Sequence, residues 1–409
     1  MAKRTLRPYR PEVPTLGWLP TLDRRRFLGV SAMGLSGLAA GVVRGQQSAP
    51  PPAATPGQVT SNVDEVRHLP RNRDSMPGRF PARVVQVRTG TACSGGLVAL
   101  SVAREAVRRG VLGLTGESDL VRAWKHFVSP DDIVGIKLNP IGGTLLSNRL
   151  EVVEAIVEGL VEAGLERSRI VLWDRRLFQL HDAGFTPDRF PGVQILGTEV
   201  RGPNGDFYDQ EGQLWSEDNV DRDTLAYVAD VEGSYSREVL PYMINEGRQS
   251  YFSKIATQMC TKIINVPVLK NAGNSVTLCL KNLSFGSLSN TARLHAIWAR
   301  AVSEPCAFPC LRDKVVLNIV DGLRACYDGG PGANPNFIYD ANLMLFGTDP
   351  VAVDTIGYEV VLAERMARGV VQGDHPRNRE FLRIATELGL GTSNRSAITL
   401  SEAALQPAS

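Results

Sequence analysis

Apolar and polar positions repeat with two different periods along most of the chain. Short apolar runs at 82–88 (ARVVQVR), 132–139 (DIVGIKLN) and 169–174 (RIVLWD) have the length and β-branched content of strands. The segments 97–110 and 148–165 between them repeat apolar residues at helical spacing. This strand–helix–strand order predicts an α/β fold with a mixed, mostly parallel sheet flanked by helices.

The same alternation returns in the C-terminal half of the chain. Apolar runs predict three more strands and two helices, at 261–269, 314–323 and 342–348 for the strands and at 275–286 and 349–369 for the helices. We therefore predict one large α/β domain over residues 82–409, with two closely packed halves as the alternative. The polar, weakly patterned stretch near residues 200–250 is predicted to be an insertion or a lid.

The N-terminal segment has the pattern of an export signal. Three consecutive arginines precede the apolar run Phe27–Val43, whose glycines make it too short and too weakly apolar for a membrane span of about 20 residues. The order of residues in Arg24–Leu28 (RRRFL) resembles the twin-arginine form. We predict a signal peptide over residues 1–45 that directs the chain through the twin-arginine machinery to the periplasm or the exterior. A tether formed by an uncleaved signal is the alternative, and no stable membrane span is expected.

A Pro/Ala-rich stretch follows the predicted signal. The sequence QQSAPPPAATPGQ at 46–58 contains little that a core would bury, which is typical of a flexible linker. We predict that this linker extends to residue 81, where the first strand pattern begins.

The distribution of charge changes once the signal is set apart. The formal net charge of the whole chain is +2, but the first 45 residues hold eight of its 45 basic side chains and two of its 43 acidic ones. The remaining residues are therefore slightly acidic, and the basicity that nucleic-acid binding requires is missing from the predicted domain.

Polar side chains recur where the predicted strands end and in the helix that follows the strand at 261–269. They are Lys137, Asn139, Asp174, Lys270, Lys281, Asn282 and Asp321. Because ligands of α/β sheets bind beyond the carboxyl ends of the strands, we expect these groups to form one site. The alternative is that strand ends are simply where the solvent begins.

The residue types suggest distinct roles in such a site. Lysines 137, 270 and 281 would neutralise a small anionic ligand, and the amides of Asn139 and Asn282 would orient it. For catalysis we select Asp174, Asp321 and Lys281, since general acid–base chemistry uses carboxyl and amino groups whose pKa values are tuned by burial.

Carboxylates also suggest a divalent metal and a helix start. Asp321 and Asp354 are the candidate ligands of a divalent cation, which prefers oxygen donors. Asp349 precedes Pro350 at the start of the last long helical pattern, so we predict that it caps this helix.

Six cysteines are too few for a disulfide scaffold, but two of them lie close together. Cys306 and Cys310 are candidates for a disulfide in an oxidising compartment, with free thiols or a soft-metal site as alternatives. Cys93 lies in a strand–helix turn, where the start of a helix would favour a thiolate nucleophile. An iron–sulfur cluster of ferredoxin type is not expected, because no four cysteines are closely spaced.

Several stretches together carry a family resemblance. They are VGIKLN, EVVEAIVEGLVEAG, VLWDR, INVPVLKNAGNSVTLCLKNLSFG, VLNIVDGL and LMLFGTDPVAVDTIGYEVV. In combination they resemble the family known as domain of unknown function 362, over roughly residues 83–400. The resemblance implies one cooperative fold with a single shared site. Some members of that family carry ferredoxin-like iron–sulfur modules, which favours redox chemistry, although this chain lacks such a module.

These observations predict an exported α/β enzyme, with redox chemistry slightly favoured, that acts on a small anionic ligand. The alternative is a periplasmic binding or carrier protein that uses the same residues without catalysis.

Overall fold

The computed structural model describes residues 59–405 except Ser234, Glu238 and Asn274. It shows an eleven-stranded sheet with helices on both faces. The predicted α/β fold with a mixed, mostly parallel sheet is confirmed. The predicted signal peptide, residues 1–45, and the first part of the linker, residues 46–58, lie outside the described residues.

The strands of the sheet are β1 Arg83–Arg88, β2 Val134–Lys137, β3 Ile170–Arg176, β4 Gln194–Glu199, β5 Lys262–Asn265, β6 Val268–Ala272, β7 Ser275–Thr277, β8 Val315–Cys326, β9 Ile338–Tyr339, β10 Leu343–Gly347 and β11 Thr399–Ala404. The predicted strand runs match β1, β2, β3, β5 with the start of β6, β8 and β10, whereas the apolar pattern does not predict β4, β7, β9 and β11 as strands. The predicted helix at 275–286 begins with strand β7 instead, because β7 pairs with β6 in an antiparallel hairpin.

Helices connect most of these strands. They are α1 Asp64–Arg67, α2 Leu100–Thr115, α3 Leu120–Trp124, α4 Leu150–Glu162, α5 Leu177–Asp182, α6 Cys279–Ser287, α7 Trp298–Ser303, α8 Pro309–Arg312, α9 Pro350–Ala367 and α10 Glu380–Glu387. In the part of the chain that the structure describes, none of them has the length and apolarity needed to cross a membrane.

The strand order is β11-β1-β10-β8-β5-β2-β3-β4. Strands β4, β3, β2, β5 and β8 are parallel neighbours, and β10 pairs antiparallel with both β8 and β1. The β6–β7 hairpin joins the sheet through parallel pairing of β6 with β8. The carboxyl ends of β2, β3 and β5 therefore lie side by side.

Each face of the sheet carries its own apolar core. Along β3, Ile170 and Leu172 point into one core while Val171 and Trp173 point into the other, as the period of two in a strand requires. Helices α2 to α5 cover the first face, and α6, α7, α9 and α10 cover the second. A sheet buried on both faces explains why its strands read as nearly continuous apolar runs.

Part of the predicted linker belongs to the folded domain. Residues 59–81 include α1, and the side chain of Met76 is fully buried in the second core. Arg71 donates to the backbone oxygens of Met76, Leu388 and Gly389 and so ties this segment to the C-terminal end of α10. The segment is poor in regular structure, which made it resemble a linker, but buried contacts hold it in place.

The segment between residues 200 and 250 forms short 3₁₀ helices and isolated bridges around a small apolar core of its own. Tyr227 anchors it to the second core: its hydroxyl donates to the Glu304 carboxylate at 2.6 Å. Its end near Tyr242 lies beside the carboxyl ends of β3 and β4.

Candidate functional site

Lys137 lies at the carboxyl end of β2 with its side chain completely buried. Its ammonium pairs with the Asp174 carboxylate of β3 and donates to the backbone oxygen of Leu138 at 2.8 Å and to Asn282 Oδ1 at 3.3 Å. All three N–H groups thus have acceptors, as a buried charge requires. The parallel pairing of β2 with β3 places the two partners next to each other.

Amide side chains connect this ion pair to a second buried lysine. Lys270 of β6 donates to Asn139 Oδ1 at 2.7 Å, and Asn139 Nδ2 donates to Asn282 Oδ1 at 3.0 Å. Lys270 is completely buried, and both asparagines are nearly so. The structure therefore brings five of the predicted site residues together in one hydrogen-bonded group: Lys137, Asn139, Asp174, Lys270 and Asn282.

Lys281 is the third lysine of this group and the one nearest the solvent, with 8% of its surface exposed. Its ammonium contacts Thr277 Oγ1 at 3.4 Å and lies 5.5 Å from the centre of the Phe285 ring. Thr277 faces Lys270 across the β6–β7 hairpin. We call the set Lys137, Asn139, Asp174, Lys270, Lys281 and Asn282 the lysine cluster.

Helix α6, which carries Lys281 and Asn282, is held at its start by Asp354 of α9. The Asp354 carboxylate accepts from the backbone N–H of Cys279 at 2.7 Å and from that of Leu280 at 3.0 Å. A carboxylate at this end of a helix satisfies otherwise unpaired N–H groups and opposes the positive end of the helix dipole. Asp354 therefore places the lysine-bearing turn of α6 against the sheet.

A glycine lets α6 approach Lys137 closely. A Cβ atom added to Gly286 would overlap the Nζ and Cε atoms of Lys137. The turn of α6 that follows Asn282 can therefore lie directly on the ion pair only because residue 286 has no side chain.

Two further asparagines belong to the same network, although the search at strand ends does not find them. Asn282 Nδ2 donates to Asn265 Oδ1 at 2.8 Å, and Asn265 Nδ2 donates to Asn318 Oδ1 at 2.9 Å. Asn318 Nδ2 donates in turn to the backbone oxygens of Gly347 and Thr348 at 3.3 and 3.2 Å. The sequence signal for both is an amide that directly follows a short apolar run, as in KIIN and VVLN. Asn265 is the last residue of β5, and Asn318 lies within β8.

The direction of these hydrogen bonds is fixed at both ends. A lysine ammonium only donates, and a backbone carbonyl only accepts. Asn282, Asn265 and Asn318 must therefore each turn the oxygen towards the lysines and the nitrogen towards the end of β10. We call these three residues the amide relay.

The lysine cluster has few negative charges, and burial lowers the pKa values of its lysines. Among the described residues, Asp174 is the only carboxylate paired with any of its three lysines. Burial, followed by the charge of Lys281, lowers the pKa of Lys270 to about 7, and burial with the charge of Arg175 lowers the pKa of Lys281 to about 8. Burial also lowers the pKa of Lys137, although Asp174 opposes the effect. Neutral amines are therefore accessible here near pH 7.

Asp321 does not join the lysine cluster. Its carboxylate accepts from the backbone N–H of Arg149 at 2.7 Å and from that of Leu323 at 3.3 Å, and it contacts none of the three lysines. Burial raises the pKa of Asp321 to about 6, and the Arg149 guanidinium partly offsets this rise. Asp321 is thus placed to hold the chain before α4 rather than to touch a ligand of the cluster.

The carboxylates selected as metal ligands do not form a metal site. Both oxygens of Asp354 are used by α6, both oxygens of Asp321 accept backbone N–H groups, and the two residues share no partner. Over residues 59–405, apart from the three gaps, no three His, Cys, Asp or Glu side chains are grouped to hold a metal. Asp349 accepts from the N–H groups of Val351 and Ala352 and caps α9, as predicted.

The cysteine predictions need correction. Cys306 and Cys310 are free thiols, because Cys306 Sγ points into the core and contacts the backbone oxygens of Leu280 and Val302 at 3.5 and 3.6 Å. The thiolate expected at Cys93 is not favoured either. Burial and the nearby Asp340 carboxylate raise the pKa of the Cys93 thiol to about 11.

One comparison with known proteins gives a match. Residues 228–359 match the family described as Domain of unknown function (DUF362). The matched segment contains Lys270, Lys281 and Asn282 of the lysine cluster and the whole amide relay, and it ends within α9. Lys137, Asn139 and Asp174 lie outside it. No curated protein and no solved structure matches the chain.

The fixed direction of the amide relay gives a testable prediction. In Asn318→Asp a carboxylate oxygen would replace Nδ2 and face the backbone oxygens of Gly347 and Thr348. We expect the free energy of unfolding to fall by about 2–4 kcal/mol, because a buried charge would face two acceptors without a donor. Urea unfolding followed by circular dichroism measures this change.

The exposed Asn336 provides the matched control, and Asn336→Asp should change the free energy of unfolding by about 0.5 kcal/mol or less. Equal stability of the Asn318→Asp and Asn336→Asp proteins would show that the direction of the relay does not matter.

Proposed function

We propose that the lysine cluster binds a small anionic ligand. The observation that carries the proposal is the imbalance of charge: three lysines meet at the end of β2, in the middle of β6 and in the first turn of α6, and among the described residues one carboxylate pairs with them. An oxyanion would supply the missing negative charge and accept charge-assisted hydrogen bonds. Lys281 is the natural first contact, since it is the most exposed of the three.

We further propose that the bound ligand reacts there. Amines whose pKa values lie near 7 and 8 can both give and take a proton at neutral pH, which is the property of a general acid or base. In this scheme Lys270 and Lys281 exchange protons with the ligand. Asp174 keeps Lys137 charged, and Asn139 and Asn282 orient the ligand.

Redox chemistry is the reaction class that the family resemblance favours, and we retain it as the first class to test. The alternative is a binding or carrier protein that uses the same lysine cluster. Turnover separates them: an enzyme converts its ligand, whereas a carrier binds it to saturation and releases it unchanged.

Lys281→Met tests the binding proposal. Methionine preserves most of the volume of the side chain but removes the charge, so we expect the affinity for sulfate and phosphate to fall at least tenfold while the fold is retained. Isothermal titration calorimetry measures the affinity, and thermal unfolding followed by circular dichroism checks the fold. The exposed Lys125 provides the matched control, and Lys125→Met should leave the affinity unchanged.

Two outcomes would count against this assignment. If Lys281→Met unfolds the protein, Lys281 has a structural role. If the folded variant binds sulfate as tightly as the unaltered protein does, the lysine cluster is not the anion site.

The pH dependence of sulfate binding follows from the lowered pKa values. Lys270 and Lys281 are protonated below about pH 7 and 8 and lose their protons as the pH rises through these values. We therefore expect sulfate affinity to be highest near pH 6 and to fall at least tenfold by pH 9. Sulfate does not titrate in this range, so the ligand itself contributes nothing. An affinity that stays constant from pH 6 to pH 9 would contradict the assignment of these lysines.

We also propose that the chain is exported by the twin-arginine machinery to the periplasm or the exterior. The support is the pattern of Arg24–Leu28 followed by a short apolar run. Replacing Arg24 and Arg25 together by lysine should leave the protein in the cytoplasm, since lysine keeps the charge but removes the twin-arginine pattern. Fractionation and immunoblotting measure the location, with Arg44→Lys as the control. Unchanged export of the double variant would refute the proposal.

A further inference from the structure

A cleft opens next to the lysine cluster at the carboxyl ends of β3 and β4. Arg175, Arg176 and Glu199 line one side, and Tyr242 and the segment 290–292 line the other. The space inside it that a water molecule can reach is about 20 Å³, and the volume grows to about 250 Å³ only when open solvent at the mouth is included. The cleft is therefore walled by the sheet on one side and by the 200–250 segment on the other.

The walls of this cleft carry more positive than negative charge. Arg176 Nε donates to Glu199 Oε2 at 2.7 Å, and Arg175 Nε lies 3.6 Å from Glu199 Oε1. Two guanidinium groups thus share one carboxylate, so among the described residues that line the cleft one positive charge has no counter-charge.

The two arginines differ in how many of their terminal guanidinium nitrogens have a hydrogen-bond partner. Arg175 Nη1 is occupied by Thr291 Oγ1 and by the backbone oxygen of Phe285. Within the described residues neither terminal nitrogen of Arg176 has a hydrogen-bond partner, and its side chain is 14% exposed. Its guanidinium lies 5.6 Å from the centre of the Tyr242 ring, which restricts its orientation. A planar guanidinium with free terminal N–H groups matches two oxygens of an oxyanion.

We propose that this cleft is a second oxyanion site, separate from the lysine cluster, in which Arg176 binds a phosphate, sulfate or carboxylate group. Glu199 holds Arg176 through Nε and leaves the terminal nitrogens for the ligand. The Tyr242 ring packs against the guanidinium of Arg176. The site goes beyond the proposed function of the lysine cluster, since it uses different residues.

The cleft lies close to the exposed end of the lysine cluster. Arg175 bonds the backbone of Phe285, and Lys281 lies over the ring of the same residue. The cleft and the exposed end of the lysine cluster are thus separated by one residue of α6. An anion held by Arg176 would therefore lie on the opposite side of Phe285 from Lys281.

Counting the bound anions tests the proposal. We expect calorimetric titration of the full chain with inorganic phosphate to show two sites. Arg176→Gln should weaken one of them at least tenfold, and Lys281→Met should weaken the other. Acetate in place of phosphate shows whether the cleft accepts carboxylates as well as tetrahedral oxyanions.

Arg189→Gln is the matched control, because Arg189 also pairs with one glutamate, Glu154, and lies over an aromatic ring, that of Phe190. It should leave both sites unchanged. Glu199→Gln should change the phosphate affinity of the cleft in the opposite direction to Arg176→Gln. Removing the competing carboxylate should strengthen phosphate binding in the cleft several-fold, so the test does not depend on one variant that loses function.

The outcomes distinguish the two assignments. A single phosphate site that Lys281→Met removes and Arg176→Gln leaves intact overturns the cleft and supports the lysine cluster. A single site that responds only to Arg176→Gln and Glu199→Gln supports the cleft and overturns the lysine cluster as an anion site. If neither phosphate nor acetate binds the folded protein, both assignments are wrong.

Discussion

The burial of lysine ammonium groups away from water is the constraint on which the rest of the site depends. Moving an ammonium into a protein interior costs several kcal/mol unless a counter-charge and hydrogen-bond acceptors replace the water. For Lys137, Asp174 supplies the counter-charge and the backbone oxygen of Leu138 a further acceptor. For Lys270, the amide oxygen of Asn139 is the acceptor. The close approach at Gly286 and the strict direction of the amide relay both follow from this need for acceptors.

Helix α6 is placed by complementary charges at its two ends. Asp354 accepts the N–H groups at its start, while the Arg175 guanidinium contacts the backbone oxygen of Phe285 near its end. This arrangement is favourable for the helix dipole, which attracts anions at the start and cations at the end. The residues that hold the start and the end of α6 thus belong to α9 and β3, respectively.

The period of the apolar residues predicts the central strands of the sheet, because strands buried on both faces and helices with one buried stripe leave different patterns. It misses β4, β9 and β11 and mistakes β7 for part of a helix. The strand-end rule finds Lys137, Asn139, Asp174 and Lys270. Sequence cannot show which N–H groups a carboxylate faces, so Asp354 is assigned to a metal although α6 uses both of its oxygens. The strand-end rule also misses Asn318, whose partners lie in β5 and at the end of β10.

The hydrogen bond between Lys137 and Asn282 joins residues that are 145 positions apart in the chain. During synthesis β2 and Lys137 leave the ribosome long before α6 exists, and the residue that holds α6, Asp354, follows later still. Until α6 is made, one of the three acceptors of Lys137, Asn282 Oδ1, is missing, although Asp174 and the backbone oxygen of Leu138 have already been made. The buried environment of Lys137 can therefore be completed only after α6 and Asp354 have been synthesised. Contacts of such long range slow folding, and we expect the site to be among the last parts of the domain to form.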